Sequence, residues 1–195
     1  LEALEPGKPL SFLDHHIRVG NSLLGTTPEL IAAGLPDEAF TPIAGDDRTF
    51  CSALKRRNRQ ERTGQRDMLH LMVAEPPAAY ATLADRSRGI DEAPDGTLDD
   101  IQRKAQQFHR LVVSEDYRQA QRVADAWCAA FVWPKHPGAP ADPITTDTIR
   151  RLQEDSDALS TAQHTELERL AVQYRFFHWH LAFPEVFARG GFDCI

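Results

Sequence analysis

The sequence predicts a predominantly α fold, a helical bundle flanked at each end by a short β segment, and three observations predict it. Leu98, Ile101, Ala105, Phe108, Leu111 and Val112 recur mostly at three- and four-residue steps, and Tyr117, Ala120, Val123, Ala124, Trp127 and Phe131 repeat the pattern. Each set builds one apolar helical stripe. Cap residues and helix breakers punctuate the chain from Thr27 to Pro184. Strand-like patterning belongs to the two ends: Ile17 and Val19 alternate with polar neighbours, and a second strand opens after Gly190-Gly191.

Taken in order, Leu1 to Leu4 read as the end of a helix stopped by Pro6 and Gly7. Ile17 to Val19 form a short strand with one buried face, running into the Gly20-Asn21-Ser22 turn. Thr27 caps a short helix from Pro28 to Ala33 that Gly34 terminates. Asp37 to Gly45 is irregular, and Asp46 or Asp47 caps a helix from Arg48 to Thr63 ended by Gly64. Asp67 to Glu75 reads as another helix, stopped by Pro76-Pro77, with one more from Ala78 to Arg86 and a loop from Arg88 to Gly96. One long helix or two in succession run from Leu98 to about Trp133, before a proline-rich loop to Pro143. Thr145 or Thr146 starts a helix to Glu154. Asp157 or Ser160 starts the last, through Leu167, Leu170, Tyr174 and Phe177, and Pro184 opens a final turn.

Composition bounds the function. At 195 residues, 42% hydrophobic and 26% charged, the chain can bury one sizeable core. No run approaches the roughly 18 apolar residues of a membrane span, and no secretory leader is apparent, so a cytoplasmic location is expected. Cys51, Cys128 and Cys194 are odd in number and far apart, which fits neither a disulfide framework nor a zinc site. A net charge of −7 argues against the whole chain being a DNA-binding surface, while leaving room for a local basic patch.

The stretch Leu13-Asp14-His15-His16-Ile17-Arg18-Val19-Gly20-Asn21-Ser22-Leu23-Leu24-Gly25 organises the rest. A strand, then glycine, then a short polar side chain is how open α/β sheets present groups to a ligand. At the other end Phe183 to Ile195 stops inside what reads as a second strand. Together the two ends resemble the large single-chain adenine-specific DNA methyltransferases of type II restriction–modification and related phage-defence systems. Leu13 to Gly25 is similar to the third motif of that family, and Gly190 to Ile195 to the lead into its Asn-Pro-Pro-aromatic motif. Pro36 to Ile43, with Gly45-Asp46-Asp47, also looks typical of it. The resemblance covers roughly the first 60 residues and the last 20.

The resemblance implies a segment lying between two strands of a methyltransferase sheet: 1–25 the edge of the core, 26–189 an inserted helical subdomain, 190–195 the next core strand. A parallel crossover needs only a dozen or so residues, so the much longer connection must have structure of its own. The glycine-rich first motif and Asn-Pro-Pro-aromatic itself lie outside the sequence, so no catalytic residue is assigned and the segment alone is not expected to methylate. The implied parent transfers a methyl group from S-adenosylmethionine to the exocyclic amine of a flipped adenine. In it Asn21 would hydrogen-bond the cofactor adenine, with Gly20 and Ser22 beside it; the segment alone is not expected to bind that cofactor. Its partners would be DNA and the rest of the methyltransferase chain, with no membrane. The alternative is a non-catalytic helical protein-interaction module.

Lys55, Arg56, Arg57, Arg59 and Arg62, with Arg66, set six basic residues against Glu61 within twelve positions. Lys55, Arg59 and Arg62 share a helix face, while Arg56 and Arg57 point away. Phosphate contact is one use of such a cluster; a solvated face paired with nearby acids is the commoner one. His15 and His16, adjacent on a strand, face opposite sides, and His178 and His180 diverge on a helix, so no metal site is assigned. The aromatic residues Tyr174, Phe176, Phe177, Trp179, Phe183 and Phe187 read as core packing the last helix on the sheet.

Overall fold

The computed structural model describes residues 12–13, 15–69 and 78–193. The fold is predominantly α. Its helices are α1 (Pro28–Ala32), α2 (Arg48–Leu69), α3 (Ala78–Asp91), α4 (Leu98–Val112), α5 (Glu115–Val132), α6 (Thr146–Glu154), α7 (Thr161–Tyr174), α8 (Trp179–Ala182) and α9 (Pro184–Phe187), with a 3-10 turn at Asp37–Phe40. Two compact units result. One is drawn from the described residues of 1–19, 76–118 and 180–195, the other from those of 20–75 and 119–179.

In the second unit α2 packs against α6 and the 3-10 turn. Leu35, Phe40, Cys51, Leu54, Trp127, Ile149 and Leu152 are buried there. A satisfied polar staple crosses this core. The buried Asn58 donates from Nδ2 to the Leu35 carbonyl at 2.8 Å and accepts from the Thr146 amide at 2.8 Å. Thr146 Oγ1 accepts in turn from the Leu35 amide at 3.0 Å. A buried polar group left unpaired costs about 1–3 kcal/mol, so Asn58 is tolerated in the core because its amide group is bonded at both ends.

Of the two aspartates before α2, Asp47 is the cap: its Oδ1 accepts from the Phe50 amide at 2.7 Å. Asp46 instead receives the Lys135 amide at 2.8 Å and lies 3.6 Å from the Lys135 ammonium. That fully buried ammonium donates to the Phe131 and Trp133 carbonyls, satisfying orphan acceptors at the end of α5. Burial pushes the Lys135 pKa down, and Asp46 opposes the shift.

In the first unit α3 packs against α4 and α9 around Leu83, Ala84, Ile90 and Leu111. Ser87 Oγ bonds Glu185 Oε2 at 2.6 Å, tying α3 to α9. Thr97 and Asp100 close a reciprocal capping box at the start of α4.

Several element boundaries differ from the sequence expectation. Helix α2 runs through Gly64 to Leu69, because a lone glycine costs a helix only about 1 kcal/mol. This helix absorbs the first residues of the one expected at Asp67–Glu75; the remainder of that segment lies outside the described residues. Helix α3 extends to Asp91, five residues past Arg86. The 98–133 stretch is two helices, parted where Ser114 Oγ donates to the Leu111 carbonyl and accepts from the Tyr117 amide. Ser160 caps α7, which ends at Tyr174 because Arg175 turns left-handed at φ 54°.

The strand at Ile17–Val19 is absent. These residues make no ladder, and Ile17 is 66% and Val19 78% exposed, with no neighbouring strand among the described residues to bury against. Among the described residues, β pairing is one isolated parallel bridge between Asn21 and Phe176. At the second expected strand, 190–195, residues Gly190–Asp193 turn and bend without β pairing, both glycines having positive φ, while Cys194 and Ile195, like Leu1–Leu4, lie outside the described residues. No helix among the described residues is long and apolar enough to cross a membrane.

Candidate functional site

The Gly20–Gly25 loop is fastened by the segment that follows α7. The Asn21 amide donates to the Arg175 carbonyl at 2.7 Å, and the Phe177 amide to the Leu24 carbonyl at 2.8 Å. Trp179 Nε1 adds a bond to the Ser22 carbonyl at 3.1 Å. The left-handed Arg175 produces this clamp, since it turns the chain off the helix axis into an extended run that can pair with the loop.

Two glycines are sterically required. A Cβ on Gly25 would collide with the Phe177 carbonyl oxygen, and one on Gly20 would lie 2.6 Å from Phe177 Cδ2. Below the loop, the buried His178 accepts the Thr26 amide at Nδ1 (3.3 Å), so its Nε2 carries the proton and donates to Asp125 Oδ1 at 2.8 Å. Both ring nitrogens are occupied, so His178 locks the loop base and is not free to bind a metal or act as a base.

Gly20, Asn21 and Ser22 are all exposed on this fixed loop, and Leu23 beside them is 91% exposed. Asn21 Oδ1 accepts the Leu23 amide at 3.3 Å, a local turn bond that leaves its second lone pair available. Tyr174, Phe176, Phe177, Trp179, Phe183 and Phe187 are half-buried, not core. Phe177 and Trp179 meet edge to face as part of the clamp, with no sheet among the described residues for the aromatic group to pack on.

On α2, Lys55, Arg59 and Arg62 do share a face, and all three converge on Asp37. Lys55 Nζ lies 3.8 Å from Asp37 Oδ2, Arg59 Nε donates to it at 2.7 Å, and Arg62 reaches Oδ1 at 3.2 Å. The Arg59 guanidinium, and behind it Lys55 and Arg62, hold the Asp37 carboxyl below the usual range. Arg57 pairs with Glu61 at 2.8 Å. Arg56 is exposed, with no ion pair among the described residues. Three cations on one carboxylate leave the face net positive.

The largest departure from expectation concerns His15 and His16. They sit in a turn, not a strand, in which the Leu13 carbonyl accepts from the amides of His16 (2.8 Å) and Ile17 (3.1 Å). The two rings consequently lie on one side, with centroids 3.8 Å apart, and both approach Asp91. Sequence reasoning missed this because it assigned the alternation of a strand to residues that turn. Compared with family models, with curated proteins and with solved structures, the chain finds no match.

Proposed function

We propose that this chain is the helical segment of a DNA adenine methyltransferase of a cytoplasmic restriction–modification or phage-defence system, flanked in its parent by strands of an α/β methyltransferase sheet. The observation that carries the reading is the Gly20–Gly25 loop. Its shape is set by two obligatory glycines, while Asn21 and Ser22 face outward. That is the arrangement needed to hold a polar acceptor against a nucleoside. In the parent, the Asn21 carbonyl oxygen accepts from the adenine amine of S-adenosylmethionine, with Gly20 and Ser22 beside the ring. Apolar Ile17, Val19 and Leu23, exposed here, are covered by the rest of that enzyme. Lys55, Arg56, Arg57, Arg59 and Arg62 contact DNA phosphates through their net positive charge.

The test is the sequence encoded after Ile195, followed by assay of the parent. Asn-Pro-Pro and an aromatic residue, with transfer of labelled methyl from S-adenosylmethionine to adenine in DNA, support the reading. In that parent Asn21→Ala should raise KM for the cofactor at least tenfold. Arg56→Ala should weaken DNA binding equally across sequences and reduce its salt slope by about 1. A stop codon after Ile195 would instead support a non-catalytic helical interaction module using the same exposed apolar residues.

A further inference from the structure

The geometry points to a binding site for a zinc-class divalent cation formed by His15, His16 and Asp91. His16 Nε2 lies 3.1 Å and His15 Nε2 3.5 Å from Asp91 Oδ1, and the three donor atoms all fall within 4.8 Å of one another. A tetrahedral ion with bonds of about 2.0–2.2 Å holds its ligand atoms about 3.3–3.6 Å apart, so the side chains already stand near ligand spacing. Two imidazoles and one carboxylate select zinc, cobalt or nickel over magnesium or calcium. Three protein donors leave a fourth position to water or an incoming group.

The second observation is the state of His15. Its side chain is 8% exposed, and among the described residues Nδ1 makes no hydrogen bond while Nε2 has only its 3.5 Å approach to Asp91. A buried imidazole so poorly satisfied is costly, and a metal at Nε2 would supply a full bond to the nitrogen that points at Asp91. The ring is held in place: Phe12 stacks on it at 5.4 Å, nearly parallel, and Phe108 lies 6.3 Å away. Lys104 donates to the Asp91 carbonyl at 3.0 Å and so anchors the carboxylate's backbone at the end of α3. Its positive charge opposes a dication and weakens the binding.

The experiment uses the untagged, metal-stripped chain, titrated with Zn²⁺ by calorimetry and with Co²⁺ by visible absorption. One equivalent should bind, with the intense visible bands of tetrahedral cobalt, and Mg²⁺ should not compete. His16→Ala and Asp91→Asn, both at partly exposed side chains, should each weaken binding at least tenfold with the far-ultraviolet dichroism unchanged. His164→Ala should have no effect. Absence of binding, or binding indifferent to both His16→Ala and Asp91→Asn, would overturn the site and leave an ordinary histidine–carboxylate pairing. Neither result bears on the methyltransferase reading, which the parent assay judges separately.

Discussion

His178 Nε2 donates to Asp125 Oδ1 at 2.8 Å while the Thr26 amide occupies the opposite ring nitrogen, so one imidazole joins α5, the residues after α7 and the loop base. Removing the carboxylate strands a buried N–H. Asp125→Ala should lower unfolding free energy by about 1–3 kcal/mol in urea titrations. Asp125→Asn, whose amide oxygen still accepts, should lose less.

Two glycines should respond oppositely to the same substitution. Gly25→Ala drives a Cβ into the Phe177 backbone, which cannot swing away as a side chain would, and should cost about 1–3 kcal/mol or more. Gly89, within α3, has open space for 4 Å around the point where an alanine methyl would sit, and Gly89→Ala should stabilise by about 0.5–1 kcal/mol. Thermal melts of the two variants check the signs.

The cations on Asp37 make its contribution pH-dependent. Its folded-state pKa is depressed, so the stability it supplies is complete above the ordinary aspartate value of 3.8 and is lost as pH falls through the lower folded value. Asp37→Asn should therefore melt below wild type at pH 7, with the gap closing in acid. Asp100 and Asp147, also depressed, are present in both proteins and cancel in the difference.

Burial pushes the Cys128 thiol up to about 12, with Asp125 adding to the shift, and raises that of Cys51 as well. Neither forms a useful thiolate at pH 8. Peptide mapping after thiol labelling should find both unmodified in the native protein and both modified in urea.

What the sequence revealed was local. The stripes of α4 and α5 were legible because periodicity needs no partner, whereas the cap of α7 stayed open between Asp157 and Ser160, two short polar residues that local sequence does not separate. The break at Ser114 was ambiguous, since a serine beside an unbroken apolar stripe does not announce a cap. Lys55, Arg59 and Arg62 were placed on one face, but their common partner Asp37 belongs to another element and left no trace in their spacing. The clamp on the Gly20–Gly25 loop was invisible for a different reason. Its main bonds run between main-chain atoms, which no side-chain pattern encodes.

A grip made of main-chain bonds shapes how the loop tolerates change over evolutionary time. The Leu24–Phe177 link would survive replacement of the phenylalanine by many other residues, whereas the left-handed Arg175 suits few and the adjoining Gly25 admits none. Divergent descendants should preserve the loop's contour while the residues gripping it drift, and an outward-facing position such as 21 can then be exchanged without rebuilding its support.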